Sequence, residues 1–428
     1  MSCAPVAVHV AQGIAAMIFP YTQASVLYAS AFSQTPDAVT LPGGRIGVRN
    51  TWLRSARVNV LPGARAYVCA THGLAFKKDE DDTAADAGPE MLAHPDPTIA
   101  ENAVFRVSTF ARRPPARATR AILLLHGLNE REWAKYLPWA VGLVERTGAA
   151  VILLPIAFHM NRAPAAWRQP KAMRPLTLAR QARCPALTAS SVANAAISAR
   201  LHARPERFFW SGMQTYDDIL QLVRSIRGAQ LPDVAPTARI DCFGYSMGAF
   251  LALILLMTNE DGLFDASRLF AFCGGATFDR TYATSKHILD SAALIALYAF
   301  FVEQLDGECL RDPRLAHYFE VHPGGRYFRA LLANRTLKDV REARLRELGG
   351  RIAALALEQD VVLPPSEVIA TLQGDARTIP ISVAVRDFPY PYTHESPFPR
   401  VTRYAPEIDR AFDEMLERAA AHFGANEP

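Results

Sequence analysis

Lysine is scarce in this chain: six of its 46 basic residues are lysine and the other forty are arginine. The arginines are scattered, with no basic stripe interleaved with aromatics, which argues against a nucleic-acid partner. Long apolar runs are also missing. The longest, Ala292 to Val302, has eleven residues, whereas a membrane-spanning helix needs about 20. The apolar start MSCAPVAVHVAQGIAAM has no Lys or Arg ahead of it, so no secretory leader is expected. No C-x-x-C pair occurs among Cys3, Cys69, Cys184, Cys242, Cys273 and Cys309. Free thiols in a reducing cytoplasm are therefore expected, rather than disulfides or zinc, with Cys242 and Cys273 inside buried strands. There is no H-E-x-x-H, Walker loop or Gly-rich dinucleotide turn, so no metal, phosphate or cofactor site is expected. Nor is there an internal repeat. Half of the 428 residues are hydrophobic, 21% are charged and the net charge is +4, which excludes a disordered, collagenous or coiled-coil architecture.

The pattern of elements is uneven. Residues 1–56 give no clear element. Arg57 to Val60 and Ala64 to Cys69 predict short strands around the turn Leu61-Pro62-Gly63. Lys77 to Pro97, charged and then rich in Asp, Ala and Pro, predicts a solvated loop. Ala103 to Phe110 alternates like a strand. From Ala121 the order becomes regular. Ala121–Leu125 is wholly apolar, as in a strand covered on both faces, and Ala150–Pro155, Arg239–Phe243, Leu269–Cys273, Arg351–Leu357 and Ile379–Val385 are predicted as five further strands. Helical patterns lie between them, at Glu132–Arg146, Gln214–Ile226 and Met247–Met257, and a final helix runs from Ala405 to Phe423. Alternating strands and helices predict an α/β fold with a mostly parallel central sheet and helices on both faces. The expected division is an N-terminal extension with the first strands of the sheet (1–118), a core (119–275 and 351–428) and a helical cap insertion (276–350). Residues 161–205 form a second candidate insertion.

Chemistry concentrates at Gly244-Tyr245-Ser246-Met247-Gly248, the junction between the strand RIDCF and the helix AFLALILLM. A serine on a strand-to-helix turn projects its hydroxyl clear of the sheet, at the positive end of a helix. His126-Gly127, directly after AILLL, opens a loop placed to supply a second oxyanion donor. The expected pair of backbone N–H groups is Leu128 and Met247. His126 itself is expected to be structural. A serine needs a histidine to take its proton, and the histidine needs a carboxylate to fix its tautomer. Downstream of Ser246, only His394 falls between the last strand and the last helix. Asp360, at the turn after RIAALAL, is the preferred acid over Glu358, Asp279 and Asp387. Phe158 to Arg162 and Asn129 to Arg131 could touch substrate or anchor neighbouring segments. The run AALIALYAFFV is expected to pack the cap more than to line a pocket.

His126-Gly127, the elbow at Ser246, Asp360 and His394 together resemble the α/β-hydrolase superfamily over residues 120–425. Stretches such as LLHGLNEREWAKYLPWA and LPIAFHMNRAP are similar to uncharacterised bacterial members. The chain departs from many esterases of the superfamily in lacking an H-G-G-G oxyanion loop and a D-x-R-G-x-G-x-S turn. A serine nucleophile excludes the aspartate chemistry of haloalkane dehalogenases. The resemblance implies a cytoplasmic serine esterase acting on a small acyl substrate, or on a lactone or amide. Its rivals are an acyltransferase using the same three residues and a non-catalytic ligand-binding protein. Substrate identity and oligomeric state are not encoded in any motif.

Overall fold

The computed structural model describes residues 19–64, 66–77, 95–114 and 117–424. The expected leaderless start, Cys3 and most of the 77–97 loop lie outside these residues. The described chain builds one nine-stranded sheet and one small hairpin. Its strands are β1 (Ala38–Thr40), β2 (Ile46–Arg54), β3 (Tyr67–Cys69), β4 (Leu74–Phe76), β5 (Val104–Arg112) and β6 (Ala118–Leu125). Then follow β7 (Ala150–Leu153), β8 (Val234–Tyr245), β9 (Leu269–Phe272), β10 (Ile352–Leu357) and β11 (Ser382–Arg386). The large sheet runs β1-β2-β5-β7-β6-β8-β9-β10-β11. Neighbours from β7 to β11 are parallel, and β1, β2 and β5 add antiparallel pairs at one edge.

Side-chain alternation sorts the core into two layers. Along β6, Ile122 and Leu124 face the helices Leu137–Thr147 and Ala405–Phe423. Ala121, Leu123 and Leu125 face the opposite layer, with the helices Arg207–Arg227 and Met247–Thr258. A strand buried on both faces must be apolar throughout, which is why AILLL carries no alternation. The helix Met247–Thr258 is apolar all round because it packs under the sheet and beneath the helix Pro323–Leu332.

This is the α/β architecture expected from the sequence, with a mostly parallel sheet and helices on both faces: an α/β-hydrolase fold. Several local expectations are corrected. Residues 58–60 form a 3-10 turn, with the Leu61 amide bonded back to Val58 (3.3 Å) instead of to a neighbouring strand. β11 starts at Ser382 and not at Ile379, since Pro380 has no N–H to give a ladder. The end of the expected insertion holds two helices, Pro323–Leu332 and Lys338–Leu348, separated where Leu337 takes φ 49°. The N-terminal segment that gave no clear element holds the helix Tyr21–Ala31 and β2. Residues 161–205 hold two helices, Pro170–Arg183 and Ala195–Ala203. The described residues from 276 to 350 contain helices and no strand of the large sheet.

Trp139 is fully buried and meets the rings of Tyr136, Phe243, Tyr245, Phe272 and Phe398. Trp139→Ala is expected to lower stability by about 3–5 kcal/mol in urea denaturation. A loss under about 1 kcal/mol would contradict this packing.

Candidate active site

β8 ends at Tyr245 and the next helix begins at Met247, so Ser246 alone turns the chain. It does so at φ 55° and ψ −121°, backbone angles that L side chains rarely adopt. Such strain persists only where the surroundings over-determine it. A Cβ on Gly244 would lie 2.5 Å from the Ala249 Cα, and one on Gly248 would lie 2.1 Å from the Leu125 carbonyl oxygen. Gly274, which no motif singled out, closes the third side: its Cβ would lie 2.6 Å from the Ala249 Cβ. The Ser246 N–H donates to the Phe272 carbonyl at 3.1 Å, tying the turn to the end of β9.

Ser246, His394 and Asp360 meet at this turn. The Ser246 Oγ is 2.8 Å from His394 Nε2, and His394 Nδ1 is 2.7 Å from Asp360 Oδ2. The other carboxylate oxygen accepts the backbone N–H groups of Val362 and Leu363, both at 2.9 Å. The carboxylate thus fixes Nδ1–H and leaves the Nε2 lone pair to the serine hydroxyl. All three side chains are buried, with Ser246 the most open at 9%. The loop carrying His394 is locked by its own aromatics, for Phe388, Tyr390, Tyr392 and Phe398 all reach the core. The Tyr245 hydroxyl donates to the His394 carbonyl, and the Tyr245 ring stacks on the imidazole at 5.6 Å.

The other acidic candidates are engaged elsewhere. Asp279 accepts from the Thr277 hydroxyl (2.6 Å) and the Asn334 N–H (2.9 Å). Asp387 takes the Tyr392 hydroxyl and the Gln359 amide, and Glu358 is exposed.

The loop after β6 is held by a chain of hydrogen bonds. The Gly127 N–H donates to the Tyr136 hydroxyl (3.2 Å), which donates to Glu130 (2.8 Å). His126 Nδ1–H donates to the Gly127 carbonyl, and Nε2 accepts the Ile156 N–H at 2.9 Å. Burial first, then the charge of neighbouring His159, holds the His126 imidazole well below its ordinary pKa. His126 is a strut, as expected. The backbone amides of Leu128 and Met247 have no hydrogen-bond partner among the described residues.

A cavity of about 390 Å³ opens on Ser246 and His394, bounded by Gly127, Leu128 and Tyr245. Its rim is charged: Glu130, Arg131, Lys135, Glu395 and Arg400, together with His287. Asn129 spans this rim by donating to the carbonyls of Ala193 and His287. Of this group the sequence singled out only residues 129–131. By contrast, Phe158 to Arg162 do not line this cavity, and of them His159 alone lines the smaller pocket beside it. Arg162 is fully buried, pairs with Asp218 at 2.8 Å and anchors the segment behind it. The run AALIALYAFFV also packs, burying Ala293, Leu297 and Phe301 in the core. A second, mostly apolar pocket of about 40 Å³ lies beside Leu128 and Met247, lined by Ile156, Phe208, Phe250 and Phe328 with His159 and Ser211 as its polar members.

Cysteine usage is more varied than expected. Cys242 and Cys273 are buried in β8 and just after β9. Cys69, however, lies among His72, His317 and His322, three residues that the sequence left unassigned.

A strained serine at the end of a central strand of a mostly parallel sheet characterises the fold. Within it, a model for a family of unknown function, DUF6051, matches residues 19–424, and the chain belongs to that family. No curated protein matches the chain. Among solved structures it is similar to carboxyl esterase 2 of the fungus Tuber melanosporum, at 12% identity over 74% of this chain and 82% of that one, TM-score 0.38. A thermostable esterase from Pseudomonas putida shares 10% over 95% and 89%, TM-score 0.41. An esterase from Pyrobaculum calidifontis shares 12% over 74% and 81%, TM-score 0.39.

His126 is expected to stay neutral, with its proton on Nδ1, at a pH where an ordinary imidazole is already largely protonated. Nitrogen NMR of histidine-labelled protein checks this; a protonated His126 near pH 6 would contradict the strut role.

Proposed function

We propose that the protein is a serine hydrolase that cleaves a carboxylic ester through an acyl-enzyme on Ser246. The observation that carries this reading is the unbroken hydrogen-bonded chain from Ser246 Oγ through His394 to Asp360. His394 Nε2 removes the serine proton as Oγ attacks the acyl carbon, and Asp360 steadies the imidazolium that forms. The oxyanion is received by the amides of Leu128 and Met247, which are free to donate. His394 returns its proton to the leaving alcohol. It then takes one from water, and the resulting attack releases the acid.

The two cavities divide the substrate. The apolar pocket beside the oxyanion amides has room for only a few water-sized groups, which favours a short acyl chain. The charged rim would face the alcohol half. Lactone or amide cleavage uses the same residues. An acyltransferase is the rival reading, and turnover that depends on an added alcohol or thiol, with none in water alone, would favour it.

With p-nitrophenyl acetate, Ser246→Ala is expected to abolish turnover, and Asp360→Asn to lower kcat by about 10⁴-fold with the fold intact by circular dichroism. Asp279→Asn is expected to retain activity. Loss of activity at Asp279→Asn with retention at Asp360→Asn would refute the assigned acid. Across p-nitrophenyl esters, kcat/KM is expected to fall about tenfold or more from butyrate to octanoate. A preference for octanoate would exclude the small pocket as the acyl site.

A further inference from the structure

The cap and the N-terminal hairpin meet at a cluster of soft ligands remote in sequence from Ser246. Cys69 ends β3, and His72 follows three residues later in the turn to β4. His317 lies in the helix Pro313–Glu320, and His322 immediately precedes the helix Pro323–Leu332. One ligand atom from each of the four falls within 4.8 Å of the other three. The Cys69 Sγ is 3.3 Å from His72 Nδ1 and 3.1 Å from His322 Nε2.

The three imidazoles stand almost perpendicular to one another. Ring centroids are 5.0 Å apart at 87° for His72 and His317, 4.8 Å at 80° for His72 and His322, and 5.1 Å at 85° for His317 and His322. Edge-to-face rings at these distances leave room for one nitrogen of each to turn toward a common point, and one ligand atom of each does lie within 4.8 Å of the others. Ordinary hydrogen bonding does not account for the group. One thiol proton can satisfy one imidazole, yet His317 Nε2 is buried with no hydrogen-bond partner. Zinc held by one thiolate and three imidazoles at about 2.0–2.3 Å has ligand atoms about 3.3–3.6 Å apart, close to the two sulfur–nitrogen distances of 3.3 and 3.1 Å, and all four atoms lie within 4.8 Å of one another.

We propose that Cys69, His72, His317 and His322 bind one zinc ion tetrahedrally. Four protein ligands close the coordination sphere, so the ion is structural and leaves no position for substrate. It staples the β3–β4 hairpin of the N-terminal region to two helices of the cap. His72 is exposed, which gives the ion a way in. The Arg57 guanidinium beside the cluster is paired with Asp217 at 3.2 Å, which offsets its charge. Tyr318 stacks on the His322 ring at 4.1 Å and holds its orientation. The donor set of one soft sulfur and three borderline nitrogens suits zinc over magnesium or calcium.

The spacing, C-x2-H followed far downstream by H-x4-H, matches no compact zinc motif, which is why the sequence did not disclose it. The inference does not use the chemistry at Ser246, so either can fail alone.

Untagged full-length protein, dialysed against zinc-buffered solution and measured by elemental analysis, is expected to hold about one zinc per chain. Cobalt(II) in its place is expected to give a thiolate charge-transfer band in the near ultraviolet and a strong tetrahedral visible spectrum. Cys69→Ser should abolish the charge-transfer band. His72→Ala, altering an exposed turn residue, should lower metal affinity with the fold retained, and Ser246→Ala should leave zinc content unchanged. Wild type that takes up no zinc and gives no cobalt spectrum would overturn the proposal. So would equal zinc binding by the double variant C69S/H317A.

Discussion

Ser246 occupies a backbone conformation that an isolated chain would leave at once, and three glycines and one hydrogen bond keep it there. Gly244, Gly248 and Gly274 let β8, the following helix and the chain after β9 approach closer than any Cβ permits. The amide of Ser246 is fixed to Phe272. The rest of the site is built on that constraint. With the turn in place, the hydroxyl projects toward the strand ends, and the first amides of the helix point outward without partners. The same close packing brings the loop after β6 alongside, since the Gly248 position abuts the Leu125 carbonyl.

Around the turn, polar groups are fixed in advance. Asp360 receives two backbone N–H groups besides His394, so its carboxylate has little freedom to rotate. The loop of His394 is anchored by four buried aromatics and by the Tyr245 hydroxyl on its own carbonyl. His126 and Tyr136 brace the facing loop. Groups held this way need no rearrangement when charge develops beside them, which is the physical basis of electrostatic catalysis.

The legible parts of the sequence were those governed by local rules. AILLL had to be a strand buried on both faces, and a serine flanked by glycines between strand and helix had to be a tight turn. His394 stood out because it follows the last strand, and Asp360 because it follows the one before. Less legible were elements whose reason is tertiary. The helix Tyr21–Ala31 has no charged residue and little amphipathic signal; it exists because its buried face docks on the helices Leu137–Thr147 and Ala405–Phe423, where Tyr21 meets Phe412 and Thr22 bonds to Asp409. The charged cavity rim combines residues from positions as distant as Glu130, His287 and Arg400. Cys69 and His317 are likewise neighbours only because the helix Pro313–Glu320 packs by the β3–β4 hairpin. Long-range juxtaposition leaves no periodicity to read.

The central claim is that Ser246 is a nucleophile activated by His394. Reaction with a fluorophosphonate followed by peptide mass spectrometry tests it most directly. The account predicts one adduct per chain, on Ser246, lost in His394→Ala although the serine remains. A folded wild-type protein that takes no label, or one labelled equally well without His394, would contradict it.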